Sequence, residues 1–372
     1  MEYRIIDADS HVNEPKDAWS ARVPAAFRDR APKWTELGEG RVGWSFDNGK
    51  SVRAVTLATA GKDVTEYSLM GVPYEEIRPA SYDPHARLEE MELDMIQAQV
   101  LFPGAALAGT QVYSDDHELQ LACVRAYNDW IHEFSSVAPD RLIGLPIAPT
   151  TGVEDLLLEA RRSAERGARG IILSSYPNGT TQPAPEDDRF WAEMEEQDFP
   201  VHIHFGFFGG GGDKSTGGVP TGLTYLTGSL LSRVGANVYK TLGDFVYGGL
   251  FERFPKLKVV AVETGIGWIP FYLESMDDNF LRLRWRTGVH LKQMPSEQFK
   301  EHIWATFITD PIGVELRHQI GIDHIMWSTD YPHANSDWPN SQRILMNELR
   351  HVPEDQKRKM LRDNAAALYK VG

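Results

Sequence analysis

Eight short apolar runs, separated by longer stretches of helical periodicity, constrain this chain more than any other feature. They are RIIDA (4–8), AQVLFPG (98–104), LIGLPIAP (142–149), ARGIILSSY (168–176), FPVHIHFG (199–206), LKVVAVETG (257–265), IWATFITD (303–310) and HIMWSTDYP (324–332). Most are apolar continuously rather than at every second residue, as in parallel strands covered on both faces. Segments 86–95, 117–136, 153–167 and 223–254 carry apolar residues at three- and four-residue spacing and read as helices. This strand–helix alternation predicts an α/β fold, a (β/α)8 TIM-like barrel forming a single metal-dependent domain over 1–372. No repeat of 20–50 residues is present, which excludes a solenoid.

Two segments break the alternation. Residues 12–84, rich in Pro, Gly and Trp, are expected to form an inserted cap between strand 1 and helix 1. Residues 206–222, GFFGGGGDKSTGGVPTG, are expected to be a glycine-rich active-site loop. In that loop Asp213 stands where a phosphate-binding loop needs Gly before its Lys, and no dinucleotide fingerprint occurs elsewhere. Trp44, Tyr67 and Tyr74 of the cap, with Phe205, Phe207 and Phe208, suggest an apolar pocket.

Composition narrows the function. A formal net charge of -15 argues against a nucleic-acid partner. One cysteine, Cys123 in an apolar helical stretch, rules out an internal disulfide and fits a reducing, cytoplasmic setting. No run approaches the ~20 apolar residues of a membrane span. The N-terminus opens on a strand without a basic region or a signal-peptide-like apolar run.

Polar, ligand-type residues gather where the strands end. Strand 1 runs into Asp7, Asp9 and His11; strand 5 carries His202 and His204; strands 6, 7 and 8 end at Glu263, Asp310 and Asp330, with His333 following. Alternation along a strand turns Asp9 and His11 the same way, and likewise His202 and His204. Taken singly, each has an ordinary reading as a helix cap, turn residue or packed side chain. Together they place ionisable groups at one end of the barrel, where burial without a partner is costly, and that points to a metal site. Oxygen ligands mixed with imidazole suit Zn, Mn or Fe.

The stretches IIDADSHVNEP, FPVHIHFG, FPKLKVVAVETGIGWIP, IMWSTDYPH and DNAAALY resemble the amidohydrolase superfamily. The resemblance is to its amidohydrolase-related branch, that of aminocarboxymuconate-semialdehyde and γ-resorcylate decarboxylases. It implies a divalent ion on Asp9, His11, His204 and Asp330, with Asp330 also handling protons. Glu263, His202 and His333 stand near enough in this scheme to be further ligands, so one ion is expected and two are possible. The branch usually carries a His at the end of strand 6, and this chain has Glu263-Thr264-Gly265; its next Arg after FYLESMDD is Arg282. Asp330, Glu263 and His202 are the candidate catalytic residues.

The expected activity is metal-dependent hydrolysis or non-oxidative decarboxylation of a small, aromatic or carboxylated organic molecule. The alternative is a dinuclear non-heme Fe or Fe/Mn monooxygenase on the same barrel. A non-catalytic, metal-stabilised binding protein is disfavoured, because a structural site should be closed and four-coordinate. A homo-oligomer, taken as a dimer, is expected.

Overall fold

The computed structural model describes residues 3–38, 40–55, 58–67, 71–107, 109–204 and 236–372. The glycine-rich segment 206–222, Phe205, Phe207, Phe208 and the first part of the 223–254 stretch lie outside the described residues.

All eight apolar runs contain a strand. In chain order these are β1 (Ile5–His11), β5 (Ile96–Phe102), β6 (Leu142–Gly144), β7 (Ile171–Leu173), β8 (Val201–His204), β9 (Val259–Val262), β10 (Ile303–Phe307) and β11 (Ile325–Trp327). Every pairing among them is parallel, in two arcs ordered β1-β5-β6 and β7-β8-β9-β10-β11. A parallel bridge between Ile147 and Ile172 links the arcs on one side. On the other, Asp330 N–H donates to the Asp9 carbonyl at 2.9 Å and His11 N–H to the Tyr331 carbonyl. All residues of β1, β8 and β9 are buried; β9 is accordingly apolar without alternation, and the polar residues of β1 and β8 are buried ones.

Helices cover the strands where the periodicity predicts them. Asp83 caps the helix Pro84–Leu93 through the His85 N–H, and Asp116 caps His117–Ser136 through Glu118 and Leu119. The second helix buries Leu119, Cys123, Val124, Tyr127, Trp130, Ile131 and Phe134. At about 1.5–3 kcal/mol for each large apolar side chain, that face outweighs any local helix propensity. Burial pushes the Cys123 thiol up to about 12, so it is an inert core residue.

Within 12–84 the chain forms an antiparallel sheet that the sequence reading did not resolve: β2 (Lys33–Gly38), β3 (Arg41–Phe46) and β4 (Ser51–Ala54). Trp44 lies opposite Trp34 in its register and packs edge-on to Trp34 and Trp19 at 5.4 and 4.8 Å. Trp44 is therefore core, and Tyr74 is held between Trp34 and Tyr82. Tyr67 donates to the Ala334 carbonyl at 3.1 Å, four residues beyond Asp330. Gly43 is required by close approach, since a Cβ there would sit 2.1 Å from the Arg53 carbonyl oxygen.

Candidate metal centre

Asp9 and His11 leave β1 on its inner side. The register between Asp7 and Ser10 is irregular, and this local break separates the roles of neighbouring residues. Asp9 and His11 meet His204 of β8, whereas Asp7 meets Gln99 and Thr329. Two further carboxylates arrive from the residues just past β9 and β11. Both stand on left-handed backbone, Glu263 at φ 55° and Asp330 at φ 56°. Non-glycine residues hold that conformation at a cost of order 1–3 kcal/mol unless the surroundings fix it. Here they do: Glu263 N–H donates to Thr306 Oγ1 at 2.8 Å, and Asp330 N–H to the Asp9 carbonyl.

The result is a compact set of donors. His11 Nε2 lies 3.1 Å from Asp330 Oδ1 and 3.5 Å from Asp9 Oδ1. His204 Nε2 lies 3.7 Å from Asp9 Oδ1 and 3.5 Å from Glu263 Oε2. His333 Nδ1 is 2.8 Å from Asp330 Oδ1, and its ring stacks on His11 at 4.0 Å. One donor atom each from Asp9, His11, His204 and Glu263 lies within 4.8 Å of the others, and the same holds for His11, Glu263, Asp330 and His333. Phe102 forms an apolar wall against the His11 and His204 rings at 5.9 and 5.2 Å.

These donors fit a cation. Both oxygens of Asp9 and of Asp330, His11 Nε2 and Glu263 Oε2 are buried, with no well-aligned hydrogen bond among the described residues. Such groups are costly unless something completes them. His11 Nδ1 donates to the Pro103 carbonyl at 3.3 Å, which leaves the Nε2 lone pair facing inward, the arrangement of a metal-binding imidazole. Burial, reinforced by His333, brings His11 down to about 4, and burial brings His204 down to about 3. Both rings are then neutral and able to ligate near pH 7. Burial, and then the charges of Asp330 and Asp9, hold Glu263 well above the usual carboxylate range. Burial likewise raises Asp9, with Asp330 adding to it against the opposing influence of His11. Burial would raise Asp330 too, but His333 and His11 outweigh it and keep that carboxyl below the usual range.

The structure does not bring His202 to this set. Its Nε2 accepts from the Tyr369 hydroxyl at 2.8 Å and its Nδ1 donates to the Ile171 carbonyl at 3.3 Å. With both nitrogens engaged by the protein and the ring pushed down to about 3 by burial, His202 has no lone pair for an ion and no proton to exchange. Position along the strand is the reason: His202 and His204 share a face, but His204 ends β8 beside the set and His202 lies two residues earlier, against Tyr369. Asp310 is also elsewhere, accepting from the Ile266, Gly267 and Gly313 N–H groups at 2.6, 2.7 and 2.9 Å and so capping a helix. Arg282 is exposed and paired with Asp278 at 2.7 Å.

Support around the set comes from Asp7, which the strand-1 motif marked beside Asp9 and His11, and from Gln99, Thr329, Arg87 and Glu14, which no motif singled out. Asp7 accepts from Thr329 N–H and Oγ1 at 2.8 and 2.5 Å and from Gln99 Nε2 at 2.8 Å. Arg87 is fully buried; it donates to Gln99 Oε1 at 2.6 Å, to the His11 carbonyl at 3.0 Å and to Ser10 Oγ. Its guanidinium also lies 4.4 Å over the Tyr331 ring. Glu14 accepts from Gly104 and Ala105 N–H groups, and burial pushes it up to about 7. The sequence signal for Arg87 was an arginine on the apolar side of a helix, which is unusual unless paired.

Strand order and donor set together define a family, and the chain belongs to it: residues 6–371 match the amidohydrolase family model. The fold of that family is the TIM barrel. The chain is 26% identical over 337 residues to 2-amino-3-carboxymuconate-6-semialdehyde decarboxylase of Dictyostelium discoideum, covering 89% of this chain and 87% of that protein. It is 23% identical to γ-resorcylate decarboxylase of Rhodococcus jostii, covering 81% of this chain and 92% of that one. Among solved structures, 5-carboxyvanillate decarboxylase of Sphingomonas paucimobilis superposes with a TM-score of 0.69 at 20% identity, over 100% of both chains. The manganese-bound 5-carboxyvanillate decarboxylase of Novosphingobium aromaticivorans superposes with a TM-score of 0.70 at 16% identity, over 99% of this chain and 97% of the other. At these identities the structural likeness carries the fold alone.

Proposed function

We propose that this protein is a metal-dependent carboxy-lyase that removes CO2, without oxidation, from a small aromatic or otherwise carboxylated molecule. The observation that carries the reading is the buried, inward-facing set of Asp9, His11, His204, Glu263 and Asp330, in which the Asp9 and Asp330 oxygens, Glu263 Oε2 and His11 Nε2 have no well-aligned hydrogen bond among the described residues. Its family and the decarboxylases it resembles support the same class. In this reading the two strand arcs close into a (β/α)8 barrel, residues 12–84 cap its mouth, and the enzyme works as a cytoplasmic homodimer. The manganese of a fold neighbour favours Mn over Zn or Fe as the resident ion.

Asp9, His11 and His204 would hold the ion, with Glu263 and Asp330 beside them. A bound divalent ion would orient a substrate carboxylate and polarise an adjacent oxygen. Asp330, kept ionised by His333 and His11, would take a proton from a substrate hydroxyl and pass it to the carbon that loses CO2. The balance then closes: one carbon–carbon bond breaks, one carbon–hydrogen bond forms, solvent water replaces the hydroxyl proton, and no electron acceptor is needed. His333, stacked on His11, orients Asp330.

Hydrolysis is the second reading, favoured by Glu263: an acidic side chain stands where the decarboxylase branch usually carries His. The oxygenase alternative gains no support from the relatives. The test is CO2 release from a panel of hydroxylated aromatic carboxylates by chelator-stripped and Mn2+-reconstituted protein. Release that returns only with the ion is expected. Equal turnover by stripped and reconstituted protein overturns the reading, and cleavage of esters or amides without CO2 release replaces it with hydrolysis.

A further inference from the structure

We infer that a cavity between the helices His117–Ser136 and Val153–Glu165, remote from the metal donors, binds a small organic carboxylate. None of the residues involved belongs to the donor set, so this stands or falls independently of the metal-dependent reading above.

The cavity measures about 100 Å3. Roughly 10–15 Å3 admits one water, so there is room for a molecule of several heavy atoms. It lies beside Leu142–Gly144 of β6 and the turn Gly167–Arg169 that leads into β7. Ile131, Leu142, Ile143 and Pro146 supply apolar surface, and His132, Ser135, Ser163 and Arg166 supply polar groups. Gly144 keeps the space open, because a Cβ there would sit 2.3 Å from Ser135 Oγ and 2.6 Å from Ile131 Cγ1.

The charge of the lining points to an anion. It includes His132, Arg166 and Arg169 and not one Asp or Glu, in a chain whose formal net charge is -15. Two acids outside the lining hold part of this charge: Asp129 accepts from Arg166 Nη1, and Asp140 from Arg169 Nη2 at 2.6 Å. Donor capacity remains after that. Arg166 Nε and Nη2 make no hydrogen bond among the described residues, and neither ring nitrogen of His132 makes one. Ser163 is only 6% exposed, and its hydroxyl is likewise without a partner among the described residues. Ser135 Oγ accepts from the Gly144 N–H at 3.0 Å, which leaves its own proton to donate. Burial, and then the Arg166 charge, hold His132 below its usual value against the pull of Asp129 and Glu133. Positive charge at the ring is therefore in excess. Guanidinium, imidazole and hydroxyl donors beside apolar surface suit a carboxylate carried on a hydrocarbon body.

The experiment is calorimetric titration of the full chain, as purified, with benzoate, followed in parallel through the His132 ring resonances by NMR. Saturable binding that shifts His132 is expected. Arg166→Met should weaken it about 10–100-fold, the loss of a charge-assisted hydrogen bond, and His132→Ala about 2–10-fold. Benzyl alcohol, a neutral molecule of similar shape, should leave His132 unmoved. Absence of saturable binding overturns the inference, as does equal affinity in the wild type and both variants. A His132 shift of equal size with benzyl alcohol also overturns it, because the site would then read shape and not charge. Benzoate binding that vanishes on chelation with His132 silent assigns the ligand to the metal centre and overturns it as well. If Arg166→Met fails to fold by circular dichroism, His132→Ala, which removes no hydrogen bond among the described residues, and the benzyl alcohol comparison decide.

Discussion

Two buried polar clusters lie side by side where β1 meets β11, and they are opposites. Around Asp7, nearly every donor has an acceptor: Thr329, Gln99, Arg87 and Ser10 form a continuous hydrogen-bonded network. Two and four residues further along β1, Asp9 and His11 present atoms that no hydrogen bond among the described residues completes. Both clusters are equally dry, so burial alone does not separate structural from functional polar groups. Satisfaction does. A completed network stabilises the fold, and an incomplete one is kept only where something absent from the chain completes it.

The sharpest way to break this contrast is Asp330→Asn. Turnover should fall about 10²–10⁴-fold through loss of the proton carrier, while the metal-free protein loses only the stability that His333 and His11 give the ionised carboxylate. Turnover within error of wild type in this variant would remove Asp330 from the chemistry. Arg87→Met should do the reverse. It strands Gln99 Oε1, the His11 carbonyl and Ser10 Oγ and should cost about 1–3 kcal/mol for each buried group left without a partner, read in denaturant unfolding. An unfolding midpoint within error of wild type would count against the network.

Ion binding supplies the third test. Mn2+ at a hundredfold excess over its dissociation constant should raise wild-type stability by about 2.7 kcal/mol. Asp9→Asn should lose most of that increment and Arg87→Met should keep it; calorimetric unfolding with and without Mn2+ reads both. The smallest effect is expected at Asp47, a buried carboxylate of the inserted segment completed by Arg30 at 2.7 and 3.1 Å, Lys50 at 2.8 Å and Ser114 at 2.7 Å. The Arg30 bond outweighs burial and holds Asp47 below its usual range. Its folded pKa is thus depressed, so its contribution is present above the unfolded value near 4 and fades as pH falls through the folded value. Asp47→Asn should cost about 1 kcal/mol at pH 7, discounted for the solvent-screened partners, and progressively less below pH 4. A cost that does not shrink in acid would assign the effect to packing.

The strands were legible because burial on both faces imposes continuous apolar runs, and the polar interruptions at their ends marked Asp9, His11, His204, Glu263 and Asp330. What the sequence hid has a common cause. Asp7 meets Thr329 across 322 residues and Gln99 across 92, and Arg87 meets His11 across 76, so no local pattern records these bonds. The sheet β2–β3–β4 was missed because its outer strand is half exposed, reading as polar loop rather than as an apolar run. His202 was misleading for the opposite reason. Its spacing from His204 is that of a ligand pair, but Tyr369, 167 residues away, takes its inward nitrogen.

The stitching of β1 to the end of β11 also has a temporal meaning. At ribosomal speeds of roughly 5–20 residues per second, the 322 residues between Asp7 and Thr329 separate their emergence by roughly 16–64 s. For that interval the nascent chain displays Asp9 and His11 without Asp330, and then His204 without Glu263. A half-translated chain therefore offers only fragments of the donor set, and full-affinity capture of the proposed ion would follow, rather than guide, the folding of the strands.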